Sequence, residues 1–107
     1  MEFEKIAETF KVLGDPTRLR IIALLQEREF CVCELVPLFQ ISQPAVSKHL
    51  SRLKAVEIVT ETRKGQWVYY SLNQKRLEEI GYSLKRLPNL QHEIKKLEEK
   101  GLLVQCD

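Results

Sequence analysis

The sequence has no apolar run long enough to cross a membrane, and its start, Met1-Glu2-Phe3-Glu4-Lys5, is acidic where a secretory leader would be basic and then apolar. Both absences lead us to expect a cytoplasmic protein with no membrane partner. Cysteine is scarce: Cys31, Cys33 and Cys106 are the only three. In a reducing compartment so few thiols are not expected to form structural disulfides, which leaves ligand or redox chemistry as their use. There is no Cys-x-x-Cys, no glycine-rich nucleotide loop and no paired acid and base, so neither an enzyme nor an organic cofactor is expected. Low-complexity segments and internal repeats are also missing. With 107 residues, the chain has material for one domain, expected to span 1–107. Its 44% hydrophobic and 30% charged content argues against extended disorder.

What is present is an uneven charge. Residues 1–40 carry five basic and seven acidic side chains, a balance of −2; residues 41–76 carry seven and two, +5; residues 77–107 carry five and six, −1. A positive central third concentrates a polyanion and supplies sequence-independent affinity for it.

Within that third, Ile41 to Lys54 reads as a helix with two unlike faces. Ser42 suits its N-cap and Pro44 its first turn. Val46, Leu50 and Leu53 share a buried stripe, while Ser47, Lys48, Ser51 and Arg52 face the other way. Cations mixed with small hydroxyls suit the DNA major groove, as they also suit any solvated helix. The neighbours favour DNA. Phe30 to Phe39 reads as a short helix, bent by Pro37, with two thiols at its start where the helix dipole favours thiolate. With the helix after it, it makes a helix-turn-helix over 32–54. Next come two β-rich runs, Ile58 to Arg63 and Gln66 to Leu72, joined by a turn at Lys64-Gly65 and tipped by Arg63 and Lys64. They predict a hairpin wing over 58–72, in which packing is the favoured role of Trp67, Tyr69 and Tyr70.

The expected architecture is therefore mainly α with a β-hairpin wing, a winged helix-turn-helix. Double-stranded operator DNA is the expected partner, read by Gln43, Ser47, Lys48, His49 and Arg52, with Arg63 and Lys64 on phosphates. Ahead of this unit, Phe3, Ile6, Ala7, Phe10 and Leu13 predict an amphipathic helix over 3–13. Asp15-Pro16 predicts the start of a second helix, apolar nearly all round, whose Arg18 and Arg20 suit either carboxylates or phosphate. Behind the wing, Leu77, Ile80, Leu84, Leu87, Leu90, Ile94 and Leu97 predict helix over 74–100, with Pro88 either kinking it or opening a second one. The first and last helices have more apolar surface than one small core needs, and predict a homodimer.

Four stretches together carry a family resemblance: Asp15-Pro16-Thr17-Arg18-Leu19-Arg20, Cys31-Val32-Cys33-Glu34-Leu35, Ser42 to Leu50, and Gly65-Gln66-Trp67-Val68-Tyr69-Tyr70. Along almost its whole length the chain resembles the ArsR/SmtB family of metal- and metalloid-responsive winged-helix repressors. The resemblance implies a homodimer that represses a resistance operon and leaves DNA when an ion binds. The Cys-Val-Cys-Glu-Leu stretch is similar to that of the arsenite-responsive branch, which implies As(III), with Sb(III) as its congener, as inducer at Cys31 and Cys33. That branch has a third thiolate three positions after the second; here Val36 stands there, and Cys106 is the substitute candidate. Cadmium and lead sensors add N-terminal cysteines, and residues 1–30 contain none. His92 and Glu93 alone do not make the zinc set on the last helix. An alternative is the same fold as a redox- or persulfide-responsive repressor, with Cys106 as the resolving thiol.

Overall fold

The computed structural model describes residues 2–104. The first apolar stripe forms α1 (Phe3–Leu13), where Ile6 is buried and Phe10 packs half-buried against the core. Helix α2 (Pro16–Glu27) begins with the expected pair of devices: Asp15 Oδ2 accepts from the Arg18 N–H at 3.0 Å, and Pro16 is the first helical residue. Contrary to expectation, α2 is one-sided. Ile21, Ile22 and Leu25 are buried but Leu19 is exposed, because a domain this small covers only one face of the helix.

The helix-turn-helix begins at Val32 as expected, but the two residues before it, read with the helix, are strand. Phe30–Cys31 is a two-residue strand, β1, and α3 (Val32–Phe39) begins only afterwards. Pro37 lies within α3, which ends after eight residues where Gln40 turns left-handed at φ 55°. Ser42 then caps α4 (Gln43–Ala55), its hydroxyl accepting from the Ala45 N–H at 3.3 Å. Val46, Leu50 and Leu53 of α4 are fully buried with Ile21, Leu35 and Ile58, which centres the core on the helix-turn-helix. Each such side chain contributes roughly 1.5–3 kcal/mol by leaving water.

Strands β2 (Val59–Lys64) and β3 (Trp67–Leu72) form the hairpin, with Lys64 opposite Trp67. The loop is Gly65-Gln66, one residue later than expected. Gly65, at φ 64°, supplies the positive φ that a two-residue hairpin loop demands. The antiparallel sheet has the order β1-β3-β2, so the cysteine strand is an edge of the wing sheet, pairing Phe30 with Tyr70 and Cys31 with Tyr69.

Asn73 caps α5 (Gln74–Lys85), and Ile80 anchors that helix in the core. The chain breaks around Pro88 and resumes as α6 (Gln91–Glu99), which buries no residue. Leu84, Leu87, Leu90, Ile94 and Leu97 are therefore exposed on α5, α6 and the link between them. Of the alternatives for Pro88, the structure has two helices rather than one kinked one.

Candidate functional site

Helix α4 and the wing position the expected DNA-facing groups. Because Val46, Leu50 and Leu53 fix the buried side of α4, Gln43, Ser47, Lys48 and Arg52 are left exposed. Arg63 is exposed on β2. Two expected DNA contacts have internal partners. His49 is half-buried, with Nδ1 3.2 Å from Arg18 Nη1 and 3.9 Å from Asp15 Oδ2. Lys64 is ion-paired with Glu29, in the turn between α2 and β1, and its ammonium lies 4.9 Å from the Tyr69 ring centroid.

The two thiol positions meet at the junction of β1 and α3. Residues two apart on a regular helix diverge, but Cys31 is extended (φ −82°, ψ 151°) and only Cys33 is helical, with the Cα atoms 5.2 Å apart. The sulfurs are in bonding contact as a disulfide, where the sequence had predicted no disulfide. No distortion of α3 is needed to bring them together. Cys31 is itself the N-cap of α3: its Sγ accepts from the Cys33 N–H at 3.2 Å, and the Glu34 carboxylate accepts from the Cys31 N–H at 2.9 Å. Arg28 Nη2 reaches the same carboxylate at 3.0 Å and lays its guanidinium over Phe30. The Cys31 N–H foremost, and Arg28 after it, hold the Glu34 carboxyl below its ordinary range. Cys31 is buried and Cys33 exposed.

Among the described residues no third Cys, His, Asp or Glu joins the pair to make a metal-holding group. Cys106 lies outside the described residues. Val36 instead lines, with Cys31 and Cys33, a groove of ≈ 610 Å³ that also borders Gln43 and Ser47 of α4 and Trp67 and Tyr70 of the wing. The sulfurs thus share a groove with Gln43 and Ser47, two of the side chains expected to face DNA. Across the groove Glu61 accepts from Lys54 Nζ at 2.6 Å and from the Tyr70 hydroxyl at 2.9 Å, tying the end of α4 to both long strands. Lys54 first, then Tyr70, depresses the Glu61 pKa; burial first, then Glu61, pushes Tyr70 up to about 12.

Sequence reasoning missed Glu34, although Cys31-x-x-Glu34 has the spacing of a capping box with sulfur in place of hydroxyl. It also missed Glu29, Arg18 as a partner of His49, and the Lys54–Glu61–Tyr70 link. These join segments 7 to 35 residues apart and leave no local pattern.

Three helices leading to an exposed polar helix, with a basic hairpin beside it, define a winged helix-turn-helix DNA-binding domain. The family pattern described as bacterial regulatory protein, arsR family, matches residues 15–61. An uncharacterized HTH-type transcriptional regulator of Methanocaldococcus jannaschii is 42% identical over 80 residues, 74% of this chain and 90% of that protein. An arsenical resistance operon repressor of Staphylococcus xylosus is 39% identical over 84 residues, 78% of this chain and 81% of that one. Among solved structures, reduced HlyU from Vibrio cholerae N16961 superposes with a TM-score of 0.63 at 26% identity, covering 80% of this chain and 92% of that one. The chain belongs to the ArsR family of bacterial regulatory proteins, and is a DNA-binding transcriptional regulator rather than an enzyme.

Proposed function

We propose that the protein is a homodimeric, cytoplasmic repressor of a metalloid-resistance operon, released from its operator by As(III), or Sb(III), at Cys31 and Cys33. The observation that carries this reading is the convergence of two sulfurs at the start of the helix before α4, in a groove shared with Gln43 and Ser47. Relatives named arsenical resistance operon repressors support the inducer class. In the reduced form, arsenous acid and two thiols give a dithiolate with one remaining hydroxide on arsenic, releasing two waters. A third thiol, from Cys106 or a small molecule, displaces that hydroxide as a third water. Gln43, Ser47, Lys48 and Arg52, with His49 at the edge of the same face, read the operator. Arg63 and Lys64 meet phosphates.

Release follows from the double duty of Cys31. Its sulfur caps α3, which buttresses α4, and its backbone pairs with Tyr69 in the wing. An ion bound to that sulfur acts on the start of α3 and on the edge of the sheet together. A coupling of about 1–3 kcal/mol, 5- to 150-fold in operator affinity, is typical of such switches. The test adds arsenite, with a reductant present, to complexes of the protein with its own promoter DNA. Wild type is released, whereas Cys31→Ser and Cys33→Ser stay bound; Cys106→Ser responds weakly if it donates the third sulfur and normally if a small thiol does. Release of Cys33→Ser at the wild-type arsenite concentration refutes the site.

The disulfide contact favours a second reading, in which the pair loses two electrons and two protons to a peroxide or polysulfide and oxidation itself is the signal. Polysulfide then releases the DNA and arsenite does not.

A further inference from the structure

Helix α4 is held from behind by one guanidinium. Arg18 Nε donates to the Val12 carbonyl, in the last turn of α1, at 2.6 Å, and Nη1 lies 3.2 Å from His49 Nδ1 on α4. The sequence left Arg18 between a carboxylate and a phosphate, and its side-chain hydrogen bonds go to neither. A guanidinium only donates, so this contact is a hydrogen bond only with His49 Nδ1 as the acceptor, which requires the ring proton on Nε2. We propose that Arg18 is a positioning residue for DNA recognition, fixing His49 as the Nε2–H tautomer and setting α4 against the end of α1.

The proposal rests on α4 being the DNA-reading helix. Three elements meet at this point: α1 through a carbonyl, α2 through Arg18, and α4 through His49. The charged groups facing the ring are Arg18 and Asp15, whose Oδ2 is 3.9 Å from the same Nδ1. Asp15 is committed elsewhere, capping α2 at the Arg18 N–H. An imidazole protonated on Nδ1 would turn a donor toward the guanidinium and break the tie. A lysine at 18 keeps the charge but cannot reproduce the fork that reaches Val12 and His49 together. The tie is therefore geometric, and the change that exposes it conserves charge.

The experiment measures binding to a duplex from the protein's own promoter and to a random duplex of equal length, well below each variant's thermal midpoint. Arg18→Lys and His49→Ala each lose about tenfold on the promoter, the scale of one misplaced base contact, and little on random DNA. The double variant loses no more than either single one, because one acts through the other. His49→Asn, which returns an acceptor near the Nδ1 position, recovers most of the affinity. Imidazole nitrogen shifts by NMR report the Nε2–H tautomer in wild type and a mixture in Arg18→Lys. Equal losses on both duplexes, additive losses, or an Nδ1–H tautomer in wild type overturn the proposal. Gln43→Ala is the control: if it relaxes promoter preference while Arg18→Lys does not, only the role of Arg18 fails, and if neither does, the reading of α4 fails with it.

Discussion

The ion pair between Lys64 and Glu29 makes the wing tip a test of how this protein divides its cations between itself and DNA. Lys48, Arg52 and Arg63 form no salt bridge among the described residues, whereas Lys64, if it meets a phosphate as proposed, must first give up Glu29. Each phosphate neutralised gives a slope of about −0.9 in log affinity against log salt, so the proposed dimer loses about 1.8 in slope on Lys64→Ala. Between 50 and 200 mM salt that is roughly 12-fold less sensitivity. Glu29→Gln removes the competitor. Both partners are at least a third exposed, at 52% and 36%, which limits the pair to about 0.2–1 kcal/mol. Freeing it on both protomers of the proposed dimer should tighten binding by about 2- to 30-fold, on promoter and random DNA alike. The assay is fluorescence anisotropy over a salt series for wild type, both single variants and the double. Two results refute the reasoning: an unchanged slope for Lys64→Ala, or a Glu29→Gln gain that persists undiminished in the Lys64→Ala background. The second would mean that Glu29 merely repels DNA.

Two other perturbations follow from the same structure. Leu84→Glu and Ile94→Glu put charge on exposed apolar faces of α5 and α6, and should halve the mass seen by light scattering while leaving each monomer folded; an unchanged mass removes the dimer assignment. Tyr70 has a folded pKa of about 12 against 10.0 for the free side chain. A raised pKa means that its contribution is complete below 10 and lost as pH rises through 12, so alkaline unfolding should begin earlier for wild type relative to its neutral stability than for Tyr70→Phe. Denaturant midpoints across that window, with tyrosinate absorbance, check the sign.

The parts of the fold that could be read from sequence are those fixed by neighbours a few residues apart. Asp15-Pro16 and Ser42 with Pro44 mark helix starts through local hydrogen-bond chemistry, and Gly65 marks the hairpin through its φ. Strand β1 could not be read that way: two residues carry no periodicity, and Phe30 and Cys31 are strand only because Tyr70 and Tyr69 lie beside them. The exposed face of α4 followed from its apolar stripe, but His49 sits at the edge of that stripe, where periodicity cannot say which way a ring turns. Its partner Arg18 is 31 residues earlier, and the Glu29 partner of Lys64 is 35 residues earlier. Glu34 alone among the missed groups lies within reach of a local pattern, three residues after the cysteine whose N–H it accepts from.

That cap limits how position 31 can be altered. Residue 31 ends a strand and accepts a hydrogen bond from the residue two places on, and in the function we propose it also presents the sulfur that meets the inducer. Serine keeps the first two duties and removes the sulfur, which makes it the clean test of the proposed role; alanine would confound loss of the sulfur with loss of a helix start. For anyone retuning the protein to a harder or softer ion, the tolerated alphabet at this position shrinks to side chains that cap as well as coordinate, aspartate foremost. Changes of specificity are more freely written at exposed Cys33, whereas Val36, which lines the same groove, also packs against the core.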